Sequence, residues 1–145
     1  MRKIVLTAMA LFFLLPSLAA AEVLCVKGKK ANFRKGPSVK NEIAYTADRY
    51  YPVKVLKRKS GWVRVVDYEG DKAWVLGKLL SKQKALVVKR EKANIRQKAT
   101  TKSKIIFTAA QGAAFKVIKA SGKWALVQHS DGDRGWIHRS LTWGY

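Results

Sequence analysis

From Glu22 onward, apolar and polar residues alternate in short runs separated by turn-forming clusters. Val53 to Leu56, Trp62 to Val66 and Ala73 to Val75 are rich in β-branched and aromatic side chains, and so are Phe115 to Ile118, Trp124 to Gln128 and Trp136 to Ile137. Such runs predict strands. Between them lie Ser60-Gly61, Glu69-Gly70-Asp71, Ser121-Gly122 and Ser130-Asp131-Gly132-Asp133. In these clusters Gly supplies positive φ and Asp supplies local backbone hydrogen bonds. No segment after Glu22 sustains a 3.6-residue apolar period over ten residues, so the pattern predicts an all-β chain. Side-chain parity sorts the strands further: Val63 and Val65 share one face, Trp62 and Arg64 the other. With the valines inward, Trp62 points outward.

The same pattern occurs twice. Sliding the chain against itself by 62 positions, without a gap, makes roughly 20 of the 57 pairs from Val23 to Leu79 identical. Ala31, Asn32 and Arg34 fall on Ala93, Asn94 and Arg96; Trp62 and Val65 on Trp124 and Val127; Gly70 and Trp74 on Gly132 and Trp136. Two units of about 60 residues result, 22–81 and 84–145, joined by the polar stretch Ser81 to Lys84. Strands at this spacing in so short a unit predict a small barrel of about five strands in each copy.

The N-terminus reads differently. Arg2 and Lys3 precede an apolar run from Ile4 to Leu15, followed by Pro16 and the small residues Ala19, Ala20 and Ala21. This is the pattern of a cleaved signal peptide over residues 1–21, and its apolar run is short of the roughly 20 residues that span a bilayer. The expectation is export to the periplasm or beyond, with no stable membrane insertion after cleavage. Glu22, Val23 and Leu24 ahead of Cys25 argue against a lipidated cysteine.

Charge narrows the class of partner. The chain of 145 residues carries 30 Lys plus Arg against 9 Asp plus Glu; removing residues 1–21 takes away two bases, so 28 minus 9 leaves +19 on 124 residues. So basic a surface attracts polyanions. In an exported protein these are envelope or wall polymers and anionic lipid surfaces rather than nucleic acid. A single cysteine forms no internal disulfide, so packing alone must hold the fold.

Ala31-Asn32-Phe33-Arg34-Lys35-Gly36-Pro37-Ser38, then Gly61-Trp62 with Val65, then Ala73-Trp74-Val75, resembles the bacterial SH3 domain. The likeness covers nearly the whole of the chain after residue 21, twice. The second copy departs from it where Gln97, Lys98 and Ala99 follow Arg96. The resemblance implies tandem SH3-like β-barrels used as binding modules, commonly for peptidoglycan. It also implies that Val75 is a core residue while Trp74 lines a surface groove, with Trp124 and Trp136 repeating the arrangement in copy two.

A groove built by Tyr50, Tyr51, Trp62, Arg64 and Trp74, flanked by Lys57-Arg58-Lys59, would stack a sugar or peptide face and hold its carboxylates. Two plainer explanations stand beside it: a Trp that covers one end of a small core, and aromatic faces packed between the copies. Asp48-Arg49-Tyr50-Tyr51-Pro52 aligns with Ala110-Gln111-Gly112-Ala113-Ala114. That contrast singles out Tyr50 and Tyr51 as contact residues and copy one as the binder, with one of the two tyrosines serving as a lid on the core. Arg34 and Arg96, kept in both copies, are expected to hold loop carbonyls or an acid. Trp143 and Tyr145 either clamp the last strand or stand exposed.

No catalytic residues are expected. Cys25 aligns with Val87 inside an apolar strand, and so reads as a small buried residue rather than a nucleophile. His129 and His138 align with Asp67 and Leu76, so neither belongs to a repeated site. His129, Asp131, Asp133 and His138 match no metal-ligand spacing, and Glu69 and Asp71 read as turn acids. Neither cofactor nor metal is expected. The sequence points to a monomeric or weakly associating exported binding module whose partner is peptidoglycan or another anionic envelope polymer. The alternative is an envelope adaptor that recognises a peptide or an acidic protein.

Overall fold

The computed structural model describes residues 21–145; the predicted signal peptide lies, apart from Ala21, outside the described residues. Copy one contains β1 (Val23–Val26), β2 (Lys30–Arg34), β3 (Ile43–Asp48), β4 (Pro52–Lys59), β5 (Trp62–Val66), β6 (Lys72–Leu76) and β7 (Leu80–Ser81). Copy two contains β8 (Ala85–Val88), β9 (Lys92–Arg96), β10 (Ile105–Ala110), β11 (Ala114–Ser121), β12 (Trp124–Gln128), β13 (Arg134–His138) and β14 (Thr142–Trp143). Every strand of copy two starts 62 residues after its counterpart, and a single 3-10 turn precedes the last strand of each copy.

Each copy is one antiparallel sheet, ordered β3-β2-β6-β5-β4-β1-β7 and β10-β9-β13-β12-β11-β8-β14. The chain is all-β, as expected, with seven strands per copy where about five were predicted. The difference comes from short pieces: β7 and β14 are two residues each, closing against β1 and β8. β3 also escapes a reading by propensity, because its outward residues are exposed and only Ala47 is buried.

One buried cluster draws residues from every strand of copy one, including Leu24, Phe33, Ala47, Val53, Val65, Val75 and Leu80. A sheet that sends side chains from all its strands to a single cluster must curl around it. Copy two repeats the cluster with a size exchange: Phe33 and Val53 become Ile95 and Phe115, all four at most 1% exposed. Large and small have traded places while the total volume is nearly kept, which is the kind of change a packed core tolerates.

Where alternation fails, a second face is covered. All four residues of β8 are buried, a pattern that signals burial on both sides of a strand. Leu86 and Val88 face copy two's core, while Ala85 lies near the seam with copy one: a Cβ on Gly144 would stand 2.8 Å from the Ala85 carbonyl oxygen and 3.0 Å from Pro52 Cγ. Copy one likewise buries Cys25 on the side of β1 away from its core, where its Sγ lies 3.3 Å from the Gln83 carbonyl and 3.5 Å from Ser81 Oγ. The linker therefore covers the cysteine. The aromatic chain end also clamps: Trp143 pairs with Val87, and Tyr145 packs on copy two's core with Lys84 and Arg139 about its ring.

Two measurements test this packing. Phe33→Ala is expected to cost about 3–5 kcal/mol, enough to unfold copy one in a urea titration. Phe33→Ile should cost less, and Val53→Phe added to it should restore stability by about 0.5–3 kcal/mol through coupling of the pair. Burial pushes the Cys25 thiol above its ordinary range, partly offset by the Ser81 contact. The thiol should therefore react with a disulfide reagent at neutral pH only after denaturant is added.

Candidate functional site

Strand parity sets the outer surface. Val63 and Val65 are 3% and 0% exposed and Val75 is 0%, so Trp62, Arg64 and Trp74 are all turned outward and half-buried. Arg64 and Arg34 are the cross-strand partners of Trp74, from β5 and β2. Lys57 reaches the same face through a bulge at Leu56: Val55 pairs with Val65, but Lys57 pairs with Arg64. The extra residue flips the strand's parity and re-aims the lysine, placing Nζ 5.8 Å from the centre of the Trp74 ring. Copy two repeats the bulge at Ile118 and brings Lys119 Nζ to 5.7 Å from the Trp136 ring.

Trp62 stands between two hollows. One, of about 320 Å³, is lined by Ala31, Asn32, Arg34, Val39, Leu76 and Leu79 among others; its neighbour, of about 340 Å³, includes Arg58, Gly61, Gly77 and Lys78. Val39 is 66% exposed at the rim of the first. Arg34 shapes that rim by donating from Nη1 to the carbonyls of Val39 and Asn41, at 3.0 and 2.9 Å. Arg96 does the same to the Ser103 carbonyl at 2.9 Å. Copy two has Thr101 and His138 in place of Val39 and Leu76, and His138 meets Trp124 edge-on at 5.1 Å. Its counterpart of the Trp62 hollow therefore has a polar wall.

Tyr50 and Tyr51 do not join this surface, which corrects the expectation of a single groove. Tyr51 lines a different cavity from Trp62. Its ring packs edge-on against Phe33, Tyr45 and Tyr68 at 6.3–6.5 Å, and its hydroxyl donates to Asp67 Oδ2 at 3.0 Å. Tyr51 is thus the lid on the core. Asp67, 5% exposed, also accepts the backbone N–H groups of Glu69 and Asp71 through Oδ1, which ties the lid to the β5–β6 turn. Tyr50 has φ 72°, where copy two has Gly112 at 86°. An aromatic residue in the left-handed region is strained, and that strain marks Tyr50 as a residue to test for function.

The turn of copy two also lies at the seam between the copies. A Cβ on Gly112 would lie 3.7 Å from the Tyr68 hydroxyl. Gly112, Ala113 and Ala114 share a cavity with Tyr45, Tyr51 and Asp67 of copy one. Small residues of copy two and aromatic side chains of copy one thus face each other across this cavity.

Of the residues weighed for chemistry, Cys25 contacts Ser81 and Gln83 rather than a histidine. His129 Nδ1 lies 3.1 Å from Asp131, whereas His138 packs on Trp124 and Ser140. Among the described residues no group of three or more His, Cys, Asp or Glu is arranged to hold a metal ion.

The profile described as the bacterial SH3 domain matches residues 27–82 and again residues 89–144. The chain belongs to this family. Bacterial SH3 domains are binding modules rather than catalytic domains. The chain is also similar to solved structures of NlpC2 and NlpC1 from Trichomonas vaginalis, at 13% and 14% identity, covering 89% and 100% of this chain and 50% and 51% of theirs, with TM-scores of 0.38 and 0.39. An NlpC/P60 family protein from Bacillus cereus ATCC 10987 is 13% identical over 85% of this chain and 56% of its own, with a TM-score of 0.40. The chain spans about half the length of these proteins. No curated protein matches it in sequence.

The tyrosine lid predicts a pH response confined to copy one. Burial first, and then the Asp67 carboxylate, hold the Tyr45 and Tyr51 hydroxyls well above the ordinary phenol range. The raised folded-state pKa values give a contribution that is fully present below the unfolded value of about 10 and lost as pH rises above it. Copy two has Phe107 and Ala113 at these positions. In a titration followed by phenolate absorbance and fluorescence, copy one should unfold at a lower alkaline pH than copy two, and Tyr51→Phe should narrow the gap.

Proposed function

We propose that this protein is exported and binds the cell wall without cutting it, through the outward face of copy one. The observation that carries this reading is the setting of Trp62 and Trp74. Trp62 stands between two open hollows, and Trp74 lies among Arg34, Arg64 and Lys57. Outward-facing indole rings stack on sugar or peptide faces, and the neighbouring guanidinium and ammonium groups donate hydrogen bonds to carboxylates. The polar wall that His138 gives copy two, and Leu126 in place of Arg64, favour copy one as the tighter binder. The net charge of +19 after residue 21 adds long-range attraction to an anionic polymer. Peptidoglycan is the partner that combines glycan, peptide and carboxylate in the compartment to which residues 1–21 direct the chain.

The test is sedimentation with purified peptidoglycan sacculi at low and high salt. Attraction between solvated charges is screened over about 8 Å at physiological salt, whereas stacking persists. Wild-type protein should remain bound at high salt. The Trp62→Ala, Trp74→Ala double variant, shown folded by its circular dichroism, should lose at least about tenfold in affinity, the scale of an aromatic hot spot. Binding that salt alone abolishes would reduce the interaction to electrostatic adhesion, and no binding at either salt would overturn the wall reading.

A further inference from the structure

A third cavity, of about 310 Å³, lies between the copies and away from the tryptophan face. Its volume is near the lower end of the range for small-ligand pockets, which occur preferentially at junctions between domains. Tyr45 and Tyr51 from copy one form aromatic walls, while Ala113, Ala114 and His129 close it from copy two.

The polar groups in this cavity are unevenly used. Asp67 is committed, its two oxygens taken up by the Tyr51 hydroxyl and the turn N–H groups. The Arg49 guanidinium makes no ion pair or hydrogen bond among the described residues, and its Nε is both buried and unpartnered. The Tyr45 hydroxyl is likewise buried and unpartnered. Asp71 uses its backbone in the turn, and its carboxylate holds no cation within 4 Å. Buried polar groups in native proteins nearly always have partners, so two orphans lining one cavity call for an occupant. Arg49 has lone donors for a carboxylate and Asp71 lone acceptors for an ammonium group, while the Tyr45 hydroxyl both donates and accepts.

We propose that the cavity between the repeats binds a small zwitterion of one or two amino-acid residues, with its carboxylate on Arg49, its ammonium group at Asp71 and its body against Tyr45 and Tyr51. The alanine-lined side leaves room for small side chains only. A phenol is already protonated at neutral pH, and burial, and after it the carboxylates of Asp67 and Asp71, push the Tyr45 hydroxyl further up. The site shares no residue with the Trp62 and Trp74 face and does not depend on the wall reading.

The experiment is a titration of the full mature chain, labelled with nitrogen-15, with L-alanyl-L-alanine and D-alanyl-D-alanine, alongside their N-acetyl and C-amide forms. The free dipeptide is expected to shift the amide signals of Ala47, Gly112 and Ala113 at millimolar concentration. Blocking either end should weaken binding at least about tenfold, as loss of one charge-assisted pair does. In Arg49→Ala the free acid and the C-amide should bind alike; in Asp71→Asn the free amine and the N-acetyl form should bind alike. Trp62→Ala should leave every shift in place. A preference for the D,D form would assign the ligand to wall peptides, and a preference for the L,L form to ordinary proteolysis. Absence of shifts in the wild type, or equal binding of the free and blocked forms, would overturn the proposal even if sacculi binding stands.

Discussion

A sheet made from about 60 residues can enclose a core only one side chain deep, so only one face of each strand is buried in it. The two-residue period of the strand then decides the fate of every neighbour. Val63, Val65 and Val75 are claimed by the interior, and Trp62, Arg64 and Trp74 are sent to the surface by the same geometry. A single inserted residue at Leu56 adds Lys57 to them. Core and outer face are two readings of one alternation, and a one-residue slip of β5 would exchange them.

That dependence explains what the sequence made legible. Repetition at 62 residues, the inward Val63 and Val65 and the outward Trp62 follow from spacing; the outward Trp74 over an inward Val75 follows from the family resemblance, and Arg34, kept in both copies, takes the loop carbonyls of the two partners expected for it, carbonyls or an acid. β3 was less visible because its exposed residues, Ile43, Ala44 and Thr46, carry no alternation of hydrophobic and polar. The bulge leaves no mark in residue types, since a Leu between Val55 and Lys57 reads as an ordinary strand position.

Tyr51 shows where reasoning from one copy against the other stops. Its replacement by Ala113 looks like the loss of a ligand contact, yet the ring covers Phe33 and its hydroxyl anchors Asp67. His129 stands at the position of Asp67 in copy two, so lid and anchor were exchanged together. A pairwise comparison registers that two residues differ, but only their contact in space shows that the changes are one event. The four buried residues of β8 were a usable signal: an unbroken apolar run at Ala85 to Val88, like that at Val23 to Val26 in β1, announces a second covered side.

The seam is also directional. Copy one offers the protruding Pro52 and Tyr68, and copy two receives them on Gly144 and Gly112. The corresponding protrusions of copy two are Ala114 and Ser130, while the corresponding receiving turn of copy one is filled by Arg49, Tyr50 and Tyr51. Head-to-tail contacts of this kind grow into open fibres when both ends of the unit remain compatible. Here each copy has kept only one half of the joint, so the contact closes within the pair and leaves neither copy with the matching half that a further unit would need.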